Sequence, residues 1–269
     1  MDNMVLAAVL SMAGLACFFA SVLAFADKKL KVHVDPKVDE LNHLFPGVNC
    51  GACGYFSCYD YAVHIVQEGA DPGKCRVIDD EAREKLFAVV GVEGETIYPR
   101  FPIVCCAAEW EHKETGAEYK GIQTCRAASL VSAAGMKCEY GCIGLDDCVR
   151  VCPFDALHME NGLPRVDIDK CTGCGKCAEA CPRNIIEMQD KRFEKIFYVA
   201  CRSNDAGPRV RQICGVGCIA CGICEKLSQG KLFKVKDNLA KADYSKLKDQ
   251  KGFQGIQPKC PTKVIRDLG

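Results

Sequence analysis

Twenty-two of the 269 residues are cysteine, and most stand in tight C-x2-C and C-x3-C groups. Such spacing puts several thiolates on one short loop, where they can share a soft metal centre; disulfides between distant segments need no such crowding. The stretch "CTGCGKCAEACP" carries Cys171, Cys174, Cys177 and Cys181, with Pro182 next. This is the C-x2-C-x2-C-x3-C-P run that ligates a [4Fe–4S] cluster. A looser copy precedes it, with Cys138, Cys142, Cys148 and Cys152 before Pro153. In paired runs of this kind the fourth cysteine of each ligates the other cluster. The pattern therefore predicts one cluster on Cys138, Cys142, Cys148 and Cys181, and another on Cys171, Cys174, Cys177 and Cys152. Three thiolates on one loop cover three corners of a cube, and the fourth corner faces the other half of the repeat. Proline after the last cysteine has no N–H and stops the loop's hydrogen bonding from continuing.

A third copy is incomplete. "GCIACGICEKLSQG" (217–230) offers Cys218, Cys221 and Cys224, then Ser228 where a Cys-Pro should end the run. Aligned on 148–171, residues 224–247 place Ser228 on Cys152 and Leu247 on Cys171. Gln250 and Phe253 stand where the next cysteines belong, and Cys260-Pro261 follows a few positions late. By the crossed rule Cys260 completes the set of Cys218, Cys221 and Cys224, and every lost residue belonged to the other cluster. The expectation is a unit that shed one cluster and kept one; Cys214 is the rival fourth ligand. Upstream, Cys50, Cys53, Cys58 and Cys75 form C-x2-C-x4-C-x16-C. Four cysteines also suit structural zinc, but three within nine residues, with Gly51 and Gly54 letting the backbone wrap closely, favour a cubane. Cys17 reads as a small apolar residue. Cys105, Cys106, Cys125, Cys201 and Cys214 remain as buried thiols, or Cys105, Cys125, Cys201 and Cys214 could hold a fifth cluster beyond the four predicted.

These loops need elements to hold them. Residues 4–26 carry no charge and only Ser11 and Ser21 as clearly polar side chains, which meets the roughly 20 residues a membrane-crossing helix requires. A cleaved signal needs a basic start, whereas only Asp2 is charged before the run and Lys28, Lys29 and Lys31 follow it. The positive-inside rule then puts the N-terminus outside and the cysteine-rich part in the cytoplasm, where thiols stay reduced. Asp35-Pro36 reads as a helix start with Val38, Leu41, Leu44 and Phe45 on one face. A second helix runs from about Ser57 to Gln67 and ends at Gly69. A third is capped by Asp79 or Asp80 and closed by Gly91. "TCRAASLVSAAG" reads as helical too. The fold class expected is α+β, in four parts: a transmembrane anchor (1–27), a small helical [4Fe–4S] domain (28–91), a bacterial two-cluster ferredoxin-like domain (92–200), and a degenerate ferredoxin-like unit with one cluster (201–269).

Formal net charge is zero and no basic block with interleaved aromatics occurs, so nucleic acid is not an expected partner. Neither GxGxxG nor GxxxxGK[ST] is present, and CxxCH is absent, which leaves nicotinamide, nucleoside triphosphate and covalent haem without support. No residue stands out as an acid–base or nucleophilic catalyst.

With "GVNCGACGYFSC" after a single span, and "CRAA", "GC" and "CPF" in the ferredoxin region, nearly the whole chain resembles the B-subunit family of Rnf-type ferredoxin:NAD+ oxidoreductase complexes. The resemblance implies an electron-entry subunit in a bacterial or archaeal cytoplasmic membrane. It also implies soluble ferredoxin and the other complex subunits as partners, with NAD+ reduction coupled to Na+ or H+ translocation. It assigns the helical-domain cluster to Cys50, Cys53, Cys58 and Cys75 and two more to the eight cysteines from 138 to 181. The chain is longer than the short members of that family. Lys231, Lys234, Lys236, Lys241, Lys246, Lys248 and Lys251 could steer an acidic ferredoxin, though interspersed Asp237, Asp243 and Asp249 fit a plain solvated surface. The alternatives are an iron–sulfur subunit of another membrane oxidoreductase, such as a hydrogenase or dehydrogenase, and a zinc-stabilised adaptor.

Overall fold

The computed structural model describes residues 2–30, 35–92, 98–190, 192, 195–245, 247 and 253–268. Lys31, Lys246, Lys248, Asp249, Gln250 and Lys251 lie outside them. Helix α1 (Asp2–Leu30) contains a stretch, Val5–Leu30, long and apolar enough to cross a membrane, and none of it is buried against the rest of the chain. Its two serines are satisfied inside the helix: Ser11 donates to the Ala8 carbonyl (2.9 Å) and Ser21 to that of Cys17 (2.7 Å). Hydrocarbon offers those hydroxyls no other partner.

Three helices follow, each started by a local cap. In α2 (Pro36–Leu44) the Asp35 carboxylate accepts the Lys37 N–H at 2.9 Å. In α3 (Cys58–Glu68) the Ser57 hydroxyl accepts the Asp60 N–H at 3.0 Å, and Gly69 closes the helix in the left-handed region (φ 67°). In α4 (Asp80–Val90) Asp79 accepts the Ala82 N–H at 2.7 Å. Val38, Leu41, Phe45, Tyr61, Ala62, Ile65, Ile78 and Leu86 make their shared core. Tyr61 ties the last cysteine of this unit into place. Its ring packs between Phe45 and Tyr55, with centroids 5.0 and 4.9 Å away, and its hydroxyl donates to the Asp71 carbonyl at 2.7 Å.

Beyond residue 98 one topology occurs twice. Strand β1 (Arg100–Val104) is followed by helices α5 (Cys125–Ser129) and α6 (Asp147–Arg150), a hairpin of β2 (Leu157–Glu160) and β3 (Leu163–Val166), helix α7 (Lys176–Ala180), and β4 (Ile186–Asp190). Strand β4 returns antiparallel to β1, Phe101 opposite Gln189. Then β5 (Ile196–Val199), helices α8 (Gly207–Ile213) and α9 (Ile223–Leu227), a hairpin of β6 (Phe233–Lys236) and β7 (Leu239–Ala242), and β8 (Ile265–Leu268) repeat the order, with a single 3-10 turn (Gln257–Lys259) where α7 stood, among the described residues. Strand β8 returns antiparallel to β5. Both hairpins turn on two left-handed residues, Asn161-Gly162 (φ 49° and 79°) and Asp237-Asn238 (φ 52° and 59°), the twist that suits a two-residue connection. Strand β5 lies ahead of the boundary expected at 200, yet its partner is β8, because the register of a two-stranded sheet outweighs proximity in sequence.

In the second copy an apolar core stands where the other thiols would be. Tyr244, Leu247 and Phe253 pack against Phe197, Leu232 and Phe233, and the Tyr244 hydroxyl donates to the Phe197 carbonyl at 2.8 Å. Ser228 is 1 % exposed; its hydroxyl accepts the Phe233 N–H and donates to the Glu225 carbonyl, each at 3.2 Å. Replacing Ser228 with alanine leaves that buried N–H without a partner and should cost about 1–3 kcal/mol, read as a lowered midpoint in anaerobic denaturant unfolding. Ser228→Cys should gain no iron, since Leu247 and Phe253 fill the remaining positions.

Candidate functional site

The cysteines converge on separate thiol-lined sites. In the helical unit Cys53 faces Cys50 and Cys58, and Cys75 faces Cys53 and Cys50. All four expected there are together. Asn49 fixes the start of α3 through its side-chain oxygen, which accepts the Cys58 N–H at 2.8 Å.

In the first ferredoxin-like copy Cys152, Cys171, Cys174 and Cys177 face one another. Their loop bends through Gly173 and Gly175 at φ 71° and 84° and then enters α7, which carries Cys177. The second copy repeats this with Ala220 and Gly222 at φ 52° and 73° ahead of α9, which carries Cys224. Gly173 also has no room for a side chain: a Cβ there would sit 2.3 Å from the Arg100 carbonyl oxygen. Gly173→Ala should cost at least about 1–2 kcal/mol from the left-handed backbone alone. The expected readout is loss of about four irons per anaerobically purified chain.

The next site departs from the expected set. A cavity of about 370 Å³ is lined by Cys125, Cys142, Cys148 and Cys181. Cys148 faces Cys125 and Cys181, and the Cys125 sulfur accepts N–H bonds from Leu145 and Asp147. Cys138, expected here, instead lines a different cavity with Cys106 and Cys214. The reason is the chain's path. Thr124 caps α5 by accepting the Ala127 N–H (3.2 Å), and the Asp147 carboxylate accepts the Arg126 N–H (3.0 Å), which holds Cys125 against α6. Spacing offers Cys125 only as a buried thiol or a member of a fifth set with Cys105, Cys201 and Cys214. No tight motif marks it; the one signal is the "TCRAAS" helix start beside it.

In the second copy a cavity of about 400 Å³ is lined by Cys218, Cys221, Cys224 and Cys260. Cys224 faces the other three. Cys214, the rival for this set, lies with Cys106 and Cys138 instead. Cys17 is exposed on α1.

Many of these sulfurs share one local device, a backbone N–H two residues on that points back at the thiol. Cys53 accepts from Tyr55, Cys75 from Val77, Cys171 from Gly173 and Cys174 from Lys176. Such bonds favour the thiolate that binds metal. Burial works the other way: it pushes Cys142, Cys148 and Cys177 up to about 12 and Cys224 to about 11. A metal group must therefore displace protons on entry, as thiolate ligation requires. Among the described residues no three His, Cys, Asp or Glu side chains are drawn in to the spacing of a single ion. Cavities ringed by four thiols offer a ligand set for a polynuclear iron–sulfur cluster or, with each sulfur drawn in to about 2.3 Å, for a structural zinc.

Two family descriptions match parts of the chain: "Putative Fe-S cluster" over residues 45–77, and "4Fe-4S binding domain" over residues 164–187. The first spans Cys50, Cys53, Cys58 and Cys75, and the second Cys171, Cys174, Cys177 and Cys181. Similar proteins extend over almost the full length. The B subunit of the ion-translocating oxidoreductase complex of Methanosarcina acetivorans is 35% identical over 98% of this chain and 99% of its own. The B subunit of the Na(+)-translocating ferredoxin:NAD(+) oxidoreductase complex of Acetobacterium woodii is 36% identical over 92% and 73%. The proton-translocating counterpart of Clostridium ljungdahlii is 35% identical over 99% and 93%. Relatives about 35% identical that cover this chain almost end to end place the protein in the family of B subunits of the ion-translocating oxidoreductase complex.

Proposed function

We propose that this chain is the iron–sulfur electron-transfer subunit of a membrane-bound ferredoxin:NAD+ oxidoreductase, accepting electrons from reduced ferredoxin and relaying them towards NAD+ reduction coupled to Na+ or H+ movement. One observation carries the reading: three of the four thiol sets adjoin one another. Cys50 of the helical unit faces Cys174, and Cys177 faces Cys148. Bound [4Fe–4S] clusters supply one-electron chemistry at such sites. The residues ligate, shield and tune. Cys50, Cys53, Cys58 and Cys75 form one ligand set; Cys152, Cys171, Cys174 and Cys177 a second; Cys125, Cys142, Cys148 and Cys181 a third; Cys218, Cys221, Cys224 and Cys260 a fourth. Burial of Cys142, Cys148, Cys177, Cys218 and Cys224 keeps water away, and backbone N–H groups aimed at sulfur raise the reduction potential. The units divide into an anchor, a helical domain, and two ferredoxin-like units meeting between β4 and β5. The anchor spans the membrane with its N-terminus outside, Lys28 and Lys29 marking the cytoplasmic end. Lys234 offers ferredoxin little, since it pairs with Asp243 at 3.6 Å.

The test is anaerobic purification of the full chain with its membrane partners. Bound iron, a visible absorbance and bleaching of that absorbance by reduced ferredoxin are expected. A colourless protein carrying zinc would mean a structural adaptor instead, and co-purification with a different set of partners would mean another oxidoreductase.

A further inference from the structure

One more cavity ringed by several thiols is not accounted for by the four sets above. It measures about 470 Å³ and is lined by six cysteines, Cys105, Cys106, Cys138, Cys142, Cys201 and Cys214, of which Cys142 already belongs to the third set. We infer that Cys106, Cys138, Cys201 and Cys214 hold a fifth [4Fe–4S] cluster, seated between the two ferredoxin-like units; this rests on the iron–sulfur reading above.

The four sulfurs come from four separate segments, with Cys106 as their common neighbour. Cys138, Cys201 and Cys214 each lie within its electrostatic reach. Three of them carry the same backbone device as the other ligand sets. Cys138 accepts N–H bonds from Tyr140 and Gly141, Cys214 from Val216 and Gly217, and Cys201 from Ser203 and Cys218. Bare glycines let the backbone come that close: a Cβ on Gly141 would stand 3.5 Å from the Cys138 sulfur and 4.0 Å from that of Cys106, and one on Gly217 would stand 3.5 Å from the Cys214 sulfur. Cys105 is engaged elsewhere. Its sulfur meets the Arg202 guanidinium, so it is left out of the set.

The segment bearing Cys106 is anchored on the first ferredoxin-like unit. The Trp110 ring covers Gly144 and Gly162, where an added Cβ would meet it at 2.7 and 2.4 Å. Lys113 lies 4.4 Å from that ring and donates to the Gly162 carbonyl at 2.9 Å. Lys113 also bridges to Cys214 of the second unit. The site thus joins two halves that fold around separate cores. It fills the one gap in the succession as well: the Cys142 N–H points at the Cys106 sulfur (3.4 Å), and Cys201 accepts the Cys218 N–H. With it, thiol sites run without a break from Cys50 to Cys260. Twenty of the 22 cysteines are then used, Cys17 and Cys105 being the two left over.

The test counts iron and acid-labile sulfide in the full chain, purified or reconstituted without oxygen. Five clusters require about twenty irons per chain, four about sixteen. Single variants Cys138→Ala and Cys142→Ala should each lose about four, and the double variant about eight, because the two thiols serve different clusters. Cys105→Ala should keep all twenty. Sixteen irons in the unaltered chain overturns the fifth cluster but leaves the electron-transfer reading standing, whereas a chain without iron removes both. A double variant that loses only four irons, or a Cys105→Ala chain that loses four, also overturns the assignment, and the count on the unaltered chain holds even where a variant fails to fold.

Discussion

A chain with Cys148 replaced by alanine is expected to lose about four irons and to stop conducting electrons from one end of its thiol sites to the other. Cys148 sits on α6, 9 % exposed, where it faces Cys125 and Cys181 in its own cavity and Cys177 in the next. The set it belongs to lies between Cys177 on one side and Cys106 on the other, so removing it opens a gap in the middle rather than at an end. Loss of one thiol leaves a fourth corner with no cysteine, and the only other anionic groups lining the cavity among the described residues, the carboxylates of Asp146 and Asp147, are harder ligands than a thiolate. In the isolated chain, bleaching by reduced ferredoxin should become biphasic, the slow phase belonging to sites beyond the gap. In the assembled complex, ferredoxin-driven NAD+ reduction should fall to background. Cys17→Ala is the matched control, since Cys17 faces outward on α1, and it should change neither iron nor transfer. An unchanged iron count in Cys148→Ala would falsify this placement of the site.

The second large effect concerns the anchor. Leu15→Arg puts a fixed charge midway along a helix whose side chains from Val5 to Phe25 are all exposed. Such a residue at the centre of a spanning helix costs roughly 2.5–3.5 kcal/mol on insertion scales, which corresponds to about a hundredfold in the insertion equilibrium. Ser11 and Ser21 escape that cost because each hydroxyl bonds a carbonyl of its own helix. The variant should shift from carbonate-washed membranes to the soluble fraction while keeping its iron, because no described side chain of α1 is buried against a cysteine site. Retention in the membrane at the level of the unaltered chain would mean that other subunits, not this helix, hold the protein there.

Much of the architecture was legible because its determinants are local. Asp35, Ser57 and Asp79 cap helices through bonds spanning two or three residues, and Gly69 and Gly91 close them; all of that can be read from adjacent letters. The tight motifs behave alike. In C-x2-C-x2-C the path between thiols is fixed by two left-handed residues and one short helix, so Cys171, Cys174 and Cys177 could be grouped from spacing alone. Cys260 was reachable because two earlier copies set a register against which a late Cys-Pro could be matched.

What stayed hidden involves long gaps. Cys125 and Cys138 stand 13 residues apart, both upstream of Cys142, and spacing favoured the nearer one. The fold reverses that preference: capping of α5 and its bond to Asp147 carry Cys125 to α6, while the bridge from Lys113 to Cys214 draws Cys138 towards the second unit. Cys106 and Cys201 follow strands β1 and β5, and nothing near either in sequence announces a common neighbour. Residue order alone therefore determined the long apolar helix, the helical unit and every group of thiols carried on one tight loop, because those depend on contacts a few residues long. That Cys125 rather than Cys138 joins Cys142, Cys148 and Cys181, and that Cys138 and Cys214 gather at Cys106, was decided only in three dimensions, where the pairing of β1 with β4 and β5 with β8 settles which segments lie side by side.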